Sequence, residues 1–277
     1  MKNKRILTAY LVSAVFVGIG LAVWRTVLLY RYFDPYTGEF SAAAHAPLET
    51  YGYVLLACIL LTFTASVFLR KKSIAPFTAS SSQFSVFASS FLGCLCAASF
   101  VLLMIYFPKK LFSAEGTALH RTMLPLTALF LLFTALYFIL NASARCDGHR
   151  AKRLLGFAPT LFALCYLFAV FTDSSFLSGN SNDRLRCVSL IVLAFFFIQE
   201  MRSCFYGKSE GFRFPVSLMT VIVLGAFEIP NLIVTAFWDM DITYMTMVEF
   251  TEVGALLLAI ATARSMIGAV GNTSVTE

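Results

Sequence analysis

Three glutamates stand where glutamates are costly. Glu228 interrupts the apolar stretch Gly225-Ala226-Phe227-Glu228-Ile229-Pro230-Asn231, and Glu249 and Glu252 interrupt the next one, Val248-Glu249-Phe250-Thr251-Glu252. Each carboxylate at the centre of a bilayer helix costs about 2.5–3.5 kcal/mol on insertion scales, so such residues usually face a protein interior and mark ion or substrate paths. With a rise of 1.5 Å per residue, Glu228 is about 15 Å below Trp238, and Glu252 is about 15 Å below Ile242. Glu249 lies one turn shallower than Glu252, on the same face. The link Asp239–Asp241 is short, so the two helices should be antiparallel neighbours with Glu228 and Glu252 at one depth.

Two carboxylates that meet in a low dielectric repel each other and lose hydration. They are expected to share a proton or to bind a monovalent cation. Asn231 shares the face of Glu228, three residues on, and completes the candidate proton- or cation-binding set Glu228, Glu249, Glu252 and Asn231. Pro230 removes a backbone donor beside the site, which can kink the helix and free a carbonyl, as in the broken helices of transporters. Arg25, near the end of the first apolar run, is the expected ion-pair partner of Glu249. A purely structural reading competes with this one: Glu228 protonated and bonded to a nearby carbonyl, Glu249 neutralised by Arg25.

Composition dictates the elements that carry these groups. Of the 277 residues, 59% are hydrophobic, 29 are Phe and only 13% are charged. Soluble domains average about 25% charged residues. Apolar runs fall near 6–30, 51–69, 84–107, 122–141, 154–172, 187–204, 215–238 and 242–264. Each approaches the ~20 residues that an α-helix needs to cross ~30 Å of hydrocarbon. In lipid the backbone must satisfy itself, which selects helices, and the alternation of barrel strands is absent. The expected fold is therefore all-α: a polytopic integral membrane bundle of about eight transmembrane helices, or seven if the sixth run is re-entrant. It forms one transmembrane domain over 1–277 with no soluble domain.

The run 6–24 is too long for the apolar core of a cleaved secretory signal, so the first span is read as retained. Placing the N- and C-termini in the cytoplasm puts about two thirds of the 21 Lys and Arg on the inner side, as the positive-inside rule requires. Lys109 and Lys110, on the outer side, fit least well. Trp24 and Trp238 then fall at the outer interface, where Trp concentrates. The net charge of +6 comes from short basic clusters between apolar runs, so no nucleic-acid-binding stripe is present.

Three smaller features complete the reading. Asp34, Pro35 and Gly38, within Tyr32-Phe33-Asp34-Pro35-Tyr36-Thr37-Gly38-Glu39-Phe40, form a strong turn signal in the first outer loop. Phe33 and Phe40 can pair across the resulting short hairpin. Ser89, Gly93 and Ala97 are four apart and allow close helix approach. The seven cysteines lie mostly in apolar runs, and Cys94 and Cys96 point to different sides of a helix, so neither a disulfide nor a metal site is read there.

Catalytic constellations are missing from the sequence. There is no phosphate-binding glycine loop. His45, His120 and His149 are placed in loops, and no Asp lies inside a run, which removes the usual parts of intramembrane hydrolysis. Asp239-Met240-Asp241 has a metal-binding spacing but reads more simply as a helix N-cap. No cofactor is implied. The leading functional reading is a proton- or cation-coupled transporter of a small solute in a cell membrane. Its partners would be the lipid bilayer and a proton or monovalent cation. The alternatives are a membrane-embedded sensor or accessory subunit, which would read an outer signal through the Asp34–Gly38 loop and act through a cytoplasmic or membrane partner protein on the basic loop Arg145–Arg153, and a membrane enzyme acting at the outer face.

Overall fold

In a computed structural model the chain is a bundle of helices; the residues described are 2–34, 39–71, 82–111, 117–142, 150–173, 181–206, 212–237 and 244–273. The long helices are α1 (Lys2–Tyr32), α2 (His45–Lys71), α3 (Gln83–Tyr106), α5 (Ala118–Ala142), α7 (Ala158–Phe171), α8 (Ser181–Tyr206), α9 (Arg213–Phe237) and α10 (Tyr244–Thr273), with short α4 (Pro108–Leu111) and α6 (Arg150–Leu155) between them. The fold is all-α and membrane-spanning in character: seven helical segments are long and apolar enough to cross a bilayer. The eighth long helix, α8, carries Asp183, Arg184, Arg186, Glu200 and Arg202, which set it apart from the rest. It is a continuous helix of 26 residues, not a re-entrant turn.

The helices pack in a closed order. α9 touches α10, α10 touches α3, then α3 meets α5, α5 meets α7, α7 meets α8, and α8 returns to α9. α1 and α2 lie outside this ring, both against α9. Large apolar side chains such as Phe16, Leu61 and Ile105 face outward, which is stable only where lipid is the solvent.

Small residues set the tightest contacts. A Cβ on Gly93 would come within 2.8 Å of the Ile139 side chain and 3.2 Å of the Ala135 carbonyl. Its neighbour on the small-residue face, Ser89, accepts a hydrogen bond from Asn141 at 3.4 Å. The expected close approach therefore joins α3 to α5. Leu at Gly93 should lower the thermal midpoint in detergent, at a cost of about 1–3 kcal/mol from overpacking. Leu at Gly52, where nothing lies within 4 Å, is the control and should change little. A second close approach joins α9 to α1: a Cβ on Gly225 would come within 3.7 Å of the Gly18 Cα.

The boundaries depart from the apolar runs where polar residues enter helices. The fifth run is split at Gly156–Phe157, because Pro159 cannot donate to Leu155 and occupies the first turn of a new helix instead. Helices α1, α8 and α10 extend beyond their runs. Phe33 pairs with Phe40 in a two-stranded antiparallel ribbon, with the rings 5.2 Å apart. Pro35 and Gly38, like Trp238, the Asp239–Asp241 triplet, His149 and most of the Arg145–Arg153 loop, lie outside the described residues. His120 is a correction. It sits inside α5, buried, with Nδ1 3.0 Å from the Ala169 carbonyl of α7. Trp24 packs edge-on against Tyr51 at 5.5 Å, with two more turns of α1 beyond it.

Candidate functional site: a buried charge cluster

Four helices converge on the glutamates. Glu228 from α9 and Glu252 from α10 bring their carboxyl groups close together, within electrostatic reach of each other. Ser189 of α8 donates to Glu228 Oε1 at 3.1 Å. Arg186, one turn earlier on α8, donates to Glu249 Oε1 and lies within electrostatic reach of Glu228 and Glu252. Arg25 of α1 lies within electrostatic reach of Glu228. All are enclosed: relative exposure is 0% for Arg25 and Glu228, 3% for Glu249 and 1% for Glu252. The facing of α9 and α10 thus brings Glu228 and Glu252 together, with Glu249 one turn away on its own partner.

The partner of Glu249 is Arg186, not Arg25. Depth along a helix is legible in a sequence, but the direction a side chain faces is not. α1 packs mainly on α9, and α8 presents Arg186 to α10, so Arg25 is turned elsewhere. Its Nη2 donates to Asn182 Oδ1 at 2.5 Å. The rest of the guanidinium lies among three aromatic rings, 5.8 Å from Phe40, 5.6 Å from Tyr51 and 5.4 Å from Phe227. Ring faces are negative and hold a desolvated cation at about 2 kcal/mol or more. Phe40 belongs to the ribbon, so the first interhelical loop rests directly on a cation of the cluster. Truncating it in Phe40→Ala should cost about 1–2 kcal/mol. It should also speed hydrogen exchange at the outer end of α1, read by mass spectrometry; unchanged exchange there would show that the contact does not seal the site.

Pro230 does free a carbonyl. Lacking an N–H, it leaves the Ala226 oxygen without its helical donor, and the Tyr51 hydroxyl donates to that oxygen at 2.9 Å. The carbonyl is therefore committed to α2. Asn231 is buried near Glu228, and its Nδ2 has no hydrogen-bond partner; the same holds for Oε2 of Glu228 and of Glu252.

Charge counting shows what the cluster requires. Three buried carboxyls face two guanidiniums, and the half-buried Asp183 also reaches Arg186, so full ionisation leaves at least one net negative charge in a desolvated interior. One proton, held between Glu228 and Glu252, makes the buried set neutral. Such a pair titrates as a unit. Arg186 and Ser189 are the members that the sequence did not reveal, while Arg25 belongs to the cluster beside Glu228 and not as the partner of Glu249. A signal existed: three buried carboxylates need cations, and Arg186 lies near the same expected end of the bundle, with Ser189 one turn on.

In comparison with known proteins, no family model matches the chain, and no curated protein or solved structure does either.

Proposed function

We propose that this membrane protein is a proton-coupled transporter of a small solute, with Glu228 and Glu252 carrying the exchangeable proton. The observation behind the reading is the proximity of these two carboxyls inside a buried cluster that holds one more acid than it has cations. Between a proton and a metal cation, the arginines favour the proton, because two guanidiniums already occupy the cationic positions and repel a third charge. The ion pair of Glu249 with Arg186, against the mutual proximity of Glu228 and Glu252, supports reading Glu249 as a structural acid and the other two as the titrating pair. The working orientation keeps the N-terminus on the cytoplasmic side.

Linkage gives the test. The purified full-length protein is unfolded thermally across about pH 5–9, alongside Glu228→Gln and Glu252→Gln. The amide supplies a permanent N–H donor to the remaining carboxyl and mimics the proton-loaded pair. Wild type should show a midpoint that moves with pH, and each variant should flatten that dependence. An unchanged pH profile in both variants would remove the shared proton and with it the coupling.

One observation favours a second reading, a sensor or accessory subunit. Phe40 of the loop ribbon contacts Arg25, so an event at the loop has a direct route to the buried cluster. Phe40→Ala separates the two: loss of a partner's response without loss of the pH-linked midpoint would support sensing.

A further inference from the structure

The helices that hold the glutamate cluster carry a second buried ion pair at the opposite end. Arg213, at the start of α9, donates through Nε to Glu200 Oε1 at 2.9 Å and through Nη2 to Glu200 Oε2 at 2.7 Å. Thr262 of α10 adds a third donor to Glu200 at 3.4 Å. Each side chain of the pair is only 11% exposed. From Arg186 to Glu200 α8 advances about 20 Å, so the two pairs stand at well-separated depths of one helical ring. Large rings occupy its wall between and beside them: Phe162, Phe196, Phe197 and Phe138, all at most 2% exposed, with Phe138 and Phe197 5.9 Å apart.

Both pairs involve α8. Arg186 ties it to α10 and Glu200 ties it to α9. As packing devices they are poor, since a buried ion pair contributes little net stability relative to apolar residues of the same size. They differ from an apolar seam in what happens on opening: separated charges regain hydration from entering water, so parting them costs less than exposing the same area of Leu or Phe. A ring closed by an ion pair at each end, with a titrating pair beside one of them, has the parts of a two-gated path.

We propose that Arg186–Glu249 and Arg213–Glu200 are alternate gates, one at each end of the ring, and that the movement of α8 opens one while the other stays shut. This rests on the transport reading and names the parts that would alternate access to Glu228 and Glu252.

The test uses the full chain in membrane vesicles of both orientations. Ser189→Cys, next to Glu228, serves as reporter for a charged, membrane-impermeant maleimide, with labelling of the parent protein subtracted for its native cysteines. Removing the far pair as Glu200→Gln with Arg213→Gln leaves no unpaired buried charge. It should raise labelling several-fold from the side on which Arg213 lies and lower it from the other. Equal labelling from both sides, with or without the pair, would overturn the gates. If the double variant does not fold, Thr262→Val weakens the same gate by one hydrogen bond and is read identically. Failure of the proton reading is separate: it appears as a flat pH profile for the wild-type midpoint, whatever the labelling does.

Discussion

Arg186→Leu should prevent the protein from accumulating in folded form, whereas Arg186→Leu combined with Glu249→Leu should restore most of it. The reasoning is electrostatic. With Arg186 gone, Glu249 loses its ion-pair partner among the described residues, and the three buried acids are left with Arg25. Neutrality then requires two protons in place of one. Removing one member of a buried pair typically costs 3–5 kcal/mol, a large part of the 5–15 kcal/mol that holds most folded proteins together. In the double variant Glu228 and Glu252 again face one guanidinium and need one proton, as before, and Leu fills part of the vacated space. The midpoint in detergent and the monodisperse fraction on size exclusion should recover to within about 1–2 kcal/mol of wild type. A single variant as stable as the double would mean that Glu249 is indifferent to its partner, and the division into structural and titrating acids would fail.

Arg25→Met is expected to be nearly as damaging, for a different reason. Arg25 is fully buried, bonded to Asn182 and surrounded by Phe40, Tyr51 and Phe227. Met keeps much of the volume but loses the charge that compensates Glu228, the charge-assisted hydrogen bond, worth about 1.5–3 kcal/mol, and the ring contacts, worth about 2 kcal/mol. Allowing for overlap among these terms, the loss should be about 3 kcal/mol. Arg25→Lys keeps the charge but not the planar donor array, so it should recover only part of the loss. The distinguishing measurement is the pH dependence of the midpoint in each. Arg25→Met places a heavier proton demand on Glu228 and Glu252 and should displace the transition along the pH axis, while Arg25→Lys should keep it near its original position. Identical profiles in Met and Lys would show that Arg25 acts by shape and not by charge.

How far these features were legible in the sequence depends on what each one rests on. Apolar run length gives helices, and it placed the long ones within a few residues wherever the flanks were plainly polar. It failed at α8, whose first turns hold Asp183, Arg184 and Arg186 and so resemble a loop by composition. The same failure concealed the partner of Glu249. Rise per residue gave a common depth for Glu228 and Glu252, and a short connection gave their adjacency; both follow from helix geometry alone. Rotation about the helix axis does not, because it is decided by which neighbours pack where. That is why Arg25 was assigned to Glu249 and why the close approach of Gly18 and Gly225 went unnoticed.

The closed order of helices has a consequence for biosynthesis. A ribosome delivers α8 to the bilayer before α9 and α10 exist, so Arg186 arrives with Asp183, three residues earlier, but ahead of Glu228, Glu249 and Glu252. A guanidinium without its buried acids is a poor guest in lipid. The leading turns of α8 should therefore wait at the water boundary, or beside the insertion machinery, until the final hairpin emerges. α1, made before α8, waits longer still, since its main neighbour, α9, follows α8. The ring is sealed only once α10 is made, and truncations that remove α10 should strand Arg186 and send the chain to quality-control proteolysis.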